Sequence, residues 1–149
     1  MDRLDRELVL SAYHPDAIED HGAFIAPCKQ FIDQVLEFHR SQEILTQHIL
    51  TNHSCEINGD IAHTETYSRC FSVMPSGPHR LAFGRFVDRL EKRNGCWGIV
   101  SRVSVPEGAT ELPVFDDRAG MVELPETLSR RSRDRNDPSY LRPLPTSRT

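Results

Sequence analysis

Residues 46–57 read TQHILTNHSCEI, run into Asn58-Gly59-Asp60, and resume over 61–74 as IAHTETYSRCFSVM. Two long, roughly alternating segments around an Asn-Gly step are a strong sign of a β-hairpin. Both residues accept the left-handed backbone that a tight hairpin turn needs. The pattern continues. Pro75-Ser76-Gly77-Pro78 is turn material, residues 79–92 read as a third strand, and Asn94-Gly95 marks a second tight turn. Residues 96–105 (CWGIVSRVSV) read as a fourth strand. Four strands in succession, joined by short turns, form an antiparallel meander.

Upstream of the meander the period changes. Residues 4–13 (LDRELVLSAY) read as a helix, with Leu4, Leu8 and Ala12 on one face. Pro15 is expected to end it, because the residue before a proline is pushed out of the helical region. Ala17–His21 read as a short strand leading to Gly22. Pro27 opens a second helix over 27–40, at a position that tolerates a missing N–H. Cys28, Phe31, Ile32, Val35 and Leu36 fit the stripe of a core-facing helix, and Phe38 falls outside it. Helices followed by a run of antiparallel strands indicate an α+β fold rather than alternating βαβ units.

Downstream, residues 106–149 hold six of the ten prolines and only short apolar pieces, Leu112–Phe115 and Met121–Leu124. An extended arm with a partly disordered end is expected there. Residues 129–149 carry six Arg against two Asp, a local +4, so the first 128 residues carry −8 of the net −4. This balance does not suggest a nucleic-acid binder. The four cysteines form no C-x-x-C, the chain opens on the charged Met1-Asp2-Arg3, and no apolar run is long enough to cross a bilayer. The expectation is a cytoplasmic protein with reduced thiols, without a membrane or nucleic-acid partner.

Three stretches carry a family resemblance. The first is Asp2-Arg3-Leu4-Asp5 with Tyr13-His14-Pro15-Asp16-Ala17 and Asp20-His21-Gly22. The second is Thr46-Gln47-His48 with Thr51-Asn52 and Asn58-Gly59-Asp60. The third is Gly84-Arg85-Phe86-Val87-Asp88-Arg89-Leu90-Glu91 with Gly95-Cys96-Trp97. In order and spacing, residues 1–105 resemble the SnoaL-like family of the nuclear transport factor 2-like superfamily. Its branch includes hexachlorocyclohexane dehydrochlorinase, scytalone dehydratase and bile-acid dehydratase.

The resemblance implies a cone-like, curved antiparallel sheet wrapped by helices around a pocket, with 1–105 as the cone domain and 106–149 as a Pro/Arg-rich arm. It implies a catalytic dyad, His48 as base and Asp2 as its partner, with Arg102 on the pocket wall. It also implies elimination, dehydration or isomerisation of a small hydrophobic molecule without metal or organic cofactor. The chemistry holds on general grounds. A neutral imidazole removes a proton, and a carboxylate on its other nitrogen fixes the tautomer and steadies the imidazolium. A guanidinium steadies a leaving anion or an enolate oxygen.

Tyr13, His21 and Phe71 are further candidates for the substrate wall. Strand alternation puts Glu19 and His21 on one face, either in the pocket or at its rim. Tyr13 is either a core residue or a ligand contact. His14, His39, His53, His63 and His79 show no metal-ligand spacing. In the family a complete helix precedes the aspartate, and residues before Asp2 that could form it are missing. Either the start lies upstream, or another chain completes the pocket, or the pocket stays open. A homo-oligomer is therefore expected. The alternative to an enzyme is a non-catalytic ligand-binding or assembly module on the same fold.

Overall fold

The computed structural model describes residues 1–114 and 132–143. The chain forms α1 (Arg6–Leu10), β1 (Tyr13–Asp20), β2 (Ile25–Pro27), α2 (Cys28–Gln42), β3 (Leu45–Asn58), β4 (Ile61–Val73), β5 (His79–Arg93) and β6 (Cys96–Leu112), and a 3-10 turn at Pro138–Tyr140. The architecture is α+β. Six strands form one sheet in the order β2-β1-β6-β5-β4-β3.

The meander is present throughout. β3, β4, β5 and β6 pair antiparallel with their neighbours in sequence, from Asn58↔Ile61 at the first turn to Arg93↔Cys96 at the last. Asn94 and Gly95 both have positive φ, 51° and 83°, the backbone of a tight two-residue hairpin loop.

The sheet as a whole is mixed, which corrects the all-antiparallel expectation. β1 joins the free edge of β6 in parallel, with Ile18↔Ser101 and Asp20↔Val103 in register. The physical reason is the path of the chain. Between β1 and β6 the chain passes through β2, α2, β3, β4 and β5, a connection long enough to bring two strands together pointing the same way. β6 also runs on to Leu112, beyond the expected end at Val105, and pairs with β5 as far as His79.

The first helix is shorter than its periodicity suggests. Asp5 caps it, accepting from the Leu8 N–H at 3.1 Å, and it ends at Leu10. Tyr13, His14 and Pro15 are instead the start of β1. The register between β1 and β6 shifts between Tyr13 and Ile18, as expected where a proline interrupts a ladder. Gly98 makes this junction possible. A Cβ there would lie 2.9 Å from the His14 ring.

α2 begins at Cys28, with Pro27 as the residue before its first turn. It buries Cys28, Ile32, Leu36 and His39, one stripe of the helix. Ala17 of β1 joins Cys28, Ile32 and Leu36 in the core, with Val9, Leu10, Tyr13, Phe31 and Val35 packed around them. The helix therefore packs on β1 and α1. Between its remaining inner residues and the meander lies a cavity of about 690 Å3.

Residues 132–143 return to the N-terminal segment. Arg3 pairs with Asp137 at 2.7 Å and donates to the Ser132 carbonyl at 2.7 Å, and the Tyr140 hydroxyl donates to Asp5 at 2.8 Å. The expected apolar piece Met121–Leu124 lies outside the described residues, as does the end of the arm from 144 on.

Candidate active site

The cavity is lined by Phe31, Val35 and His39 of α2, by Tyr13, Glu19 and His21 on the β1 side, and by the meander. The meander contributes His48 and Leu50 from β3, Cys70 from β4, Phe86 from β5 and Arg102 from β6. Asp2 and Val9 close one side. Most of the wall is apolar, with polar groups gathered at two places.

The first place is around His48. Its Nδ1 lies 2.5 Å from Asp2 Oδ1, and its backbone N–H donates to Asp2 Oδ2 at 2.9 Å. Thr46, two residues earlier on the same face of β3, donates to Asp2 Oδ1 at 3.1 Å. Burial alone would raise the Asp2 carboxyl. The hydrogen bonds from the His48 ring and backbone override it and hold the group at about 2. Burial would likewise lower the His48 ring, but the bond to Asp2, with help from Cys70, lifts it to about 9. Cys70 is the direct cross-strand partner of His48 in the β3–β4 ladder. With an ionised carboxylate on Nδ1, that nitrogen is the donor, and Nε2 remains for Cys70 or a bound molecule.

Asp2 does not fray. Arg133, from the returning C-terminal segment, donates to the Asp2 carbonyl at 3.3 Å and to Thr46 Oγ1 at 3.3 Å. The same guanidinium donates to the carbonyls of His39 at 3.0 Å and Glu43 at 2.8 Å. It ties the end of α2, the start of β3 and the Asp2 segment into one unit.

The second place is around Arg102. Its Nε and Nη2 meet the two oxygens of Asp88 at 2.7 Å each, and Nη1 donates to the Tyr13 hydroxyl at 3.0 Å. The guanidinium lies over the Phe86 ring, 4.3 Å from its centre. Burial works against the charge, and the Asp88 bonds outweigh it and raise the guanidinium pKa. Arg102 lines the cavity, and its charge is already matched by Asp88. Burial raises the Tyr13 hydroxyl well above its ordinary value. His21 Nε2 sits 3.0 Å from Glu19 Oε2, on the shared strand face, and its ring stacks on Phe31. Glu19 is fully buried, and its other oxygen has no hydrogen-bond partner among the described residues.

Phe71 is a correction. It is not among the cavity-lining residues and instead meets the His79 ring edge-on. Its neighbour Cys70 takes the pocket face, and strand alternation sends Phe71 to the other. Among the described residues no three His, Cys, Asp or Glu side chains gather where a metal ion could be held. No described helix is long and apolar enough to cross a membrane.

The model of one protein family, described as a SnoaL-like domain, matches residues 1–103. The chain belongs to this family. Solved structures agree at the level of fold. A hexachlorocyclohexane dehydrochlorinase of type 2 aligns with a TM-score of 0.70 at 16% identity, over 81% of this chain and 84% of that one. A type 3 dehydrochlorinase from Novosphingobium barchaimii aligns at 0.67 and 17%, over 83% and 84%. A candidate scytalone dehydratase from Novosphingobium aromaticivorans aligns at 0.67 and 17%, over 76% and 78%. At such identities the likeness shows the nuclear transport factor 2-like fold and no activity. No curated protein matches the chain by sequence.

Sequence reading gave no site role to His39, which lines this SnoaL-like cavity, or to Glu43, Asp88 and Arg133, which bond to residues that line it. A signal existed for the first two. His39 continues the Ile32–Leu36 stripe of α2, and Glu43 follows four residues later. Nothing local marks Arg133, whose partners are at least 87 residues away.

Proposed function

We propose that this SnoaL-like protein is a cofactor-independent lyase or isomerase acting on a small hydrophobic molecule, with His48 as the proton-accepting base and Asp2 as its partner. The observation that supports this is a His48–Asp2 pair on the wall of a largely apolar cavity. The carboxylate fixes the ring tautomer and stabilises the imidazolium formed when Nε2 takes a proton from carbon. The apolar surround strengthens that interaction by excluding water. Arg102, bound to Asp88, orients the Tyr13 hydroxyl and shapes the far wall. It is less suited to neutralising a leaving anion than an unpaired guanidinium would be.

The raised His48 pKa gives the reading a sharp consequence. With a midpoint of about 9 the ring rests as imidazolium at neutral pH, and the base form grows as the pH rises. The rate should climb roughly tenfold per pH unit from pH ~6 and level off near the midpoint. The assay is a metal-free screen of small cyclic alcohols, hydroxyketones and halogenated rings for elimination. Turnover that survives in His48→Ala would rule the mechanism out.

We also propose that the protein works as a homo-oligomer. A groove continues beyond Arg102 over the far half of the same sheet face. There Leu50, Ile57 and Trp97 are 62%, 63% and 40% exposed. Apolar residues gathered in this way are more often covered than left to solvent.

A further inference from the structure

His39 belongs to the cavity and ends the buried Ile32–Leu36 stripe of α2. Its ring lies against the His48 ring, with centroids 5.8 Å apart and planes at 82°. It is buried and lines the same wall. Its Nδ1 is hydrogen-bonded to the carboxylate of Glu43, four residues on, which caps the C-terminus of α2. Glu43 is buried as well, with its side chain 5% exposed. The arrangement repeats that of His48 and Asp2. In both pairs a carboxylate occupies Nδ1, so Nε2 is the ring nitrogen that faces proton transfer. Burying an imidazole and a carboxylate side by side costs desolvation that an apolar pair on the same helix stripe would avoid.

We propose that His39, oriented by Glu43, is a second proton-transfer residue of this cavity and acts on the same bound molecule as His48. The inference rests on the reading of the cavity as a reaction site. Two imidazoles at this spacing suit groups on adjacent carbons of one substrate. In loss of water from a β-hydroxy ketone, His48 Nε2 takes the proton on the α-carbon. The C–H electron pair becomes the new C=C bond. The C–O pair leaves with oxygen, which accepts the proton from His39 Nε2 and departs as water. His48 ends with one proton more and His39 with one fewer, and exchange with solvent or between the rings restores both. Loss of a halide needs only the first transfer. The pairing therefore points to substrates whose leaving group must be protonated. The neutralised Arg102 fits the same conclusion, because a halide ion would find its charge already matched by Asp88.

The test uses two probes that yield the same enone, 4-hydroxy-4-phenylbutan-2-one and its 4-chloro counterpart, followed by ultraviolet absorbance above the uncatalysed background. His48→Ala should lose both activities. His39→Gln should lose the hydroxy activity about 100-fold more than the chloro activity, the scale of a missing general acid. Glu43→Gln, which leaves the imidazole and the helix in place, should show the same split more weakly, and thermal melts of both variants check that they fold. Equal losses on the two probes, or no loss in either variant, would overturn the role of His39. So would a wild-type protein that turns over the chloro compound alone, and these outcomes leave His48 standing. Turnover of neither probe would end the His48 reading and this inference together.

Discussion

The His48–Asp2 pair makes its contribution in a defined pH window. The Asp2 carboxyl is lowered from 3.8 to about 2, so the stability it contributes is present above pH 3.8 and is lost as pH falls through about 2. The His48 ring is raised from 6.5 to about 9, so its contribution is complete below pH 6.5 and is lost as pH rises through about 9. The wild-type melting temperature should therefore fall between pH 6.5 and 9, and His48→Gln should lack that fall; parallel curves for the two proteins would contradict the pairing. Asp2→Asn should move the His48 midpoint, read from ring proton shifts by NMR, from about 9 back toward 6.5. Asp88 offers a second test. Asp88→Asn leaves the Arg102 guanidinium with an amide where a two-point carboxylate stood. Removing one partner of a buried pair costs about 3 kcal/mol. Arg102→Met with Asp88→Asn should cost less than Asp88→Asn alone, because no unpaired charge remains. Urea unfolding of the two variants decides between them.

At the scale of elements, the segment 132–143 acts on the site without itself lining the cavity. Arg133 reaches the Asp2 carbonyl and Thr46, while Arg3–Asp137 and Tyr140–Asp5 hold the rest of the N-terminal segment. Arg133→Met should leave helix content unchanged by circular dichroism but speed amide exchange at residues 1–5, and should lower the His48 midpoint. An unchanged midpoint would show that the hydrogen bonds within β3 and Asp2 suffice. At the other edge, β1 lies over Gly98, where an added Cβ would meet the His14 ring at 2.9 Å. Gly98→Ala must push the ring or the strand aside, at about 1–3 kcal/mol. The signature would be faster amide exchange in β1 than in β3 and β4.

For the whole molecule, the exposed apolar residues Leu50, Ile57 and Trp97 beyond Arg102 raise the question of whether a second copy covers them. If a second copy does, Trp97 should become shielded as the protein associates. Its emission should shift to shorter wavelength with rising concentration, in step with a mass increase by sedimentation. Trp97→Arg should give a monomer that keeps its fold. A wild-type protein that stays monomeric at all concentrations, with unchanged emission, would remove the oligomer proposal.

The sequence alone determined the meander and its turns. Side-chain alternation and Asn-Gly steps act within a few residues, so a hairpin is legible wherever they occur. It determined the core stripe of α2 for the same reason, and the motif order that marks the SnoaL-like family. It placed His48, Asp2 and Arg102 only through resemblance. Tertiary structure decided what long-range pairing governs. Tyr13–Pro15 read locally as a helix end, but the free edge of β6 offered hydrogen bonds that a short helix could not match, and β1 formed in parallel. Phe71 left the pocket because the register of β4 put Cys70 there. Arg102 met Asp88 across adjacent strands, and Arg133 met Asp2 across 131 residues. Such contacts depend on which strand lies beside which, and no local pattern in the chain encodes that.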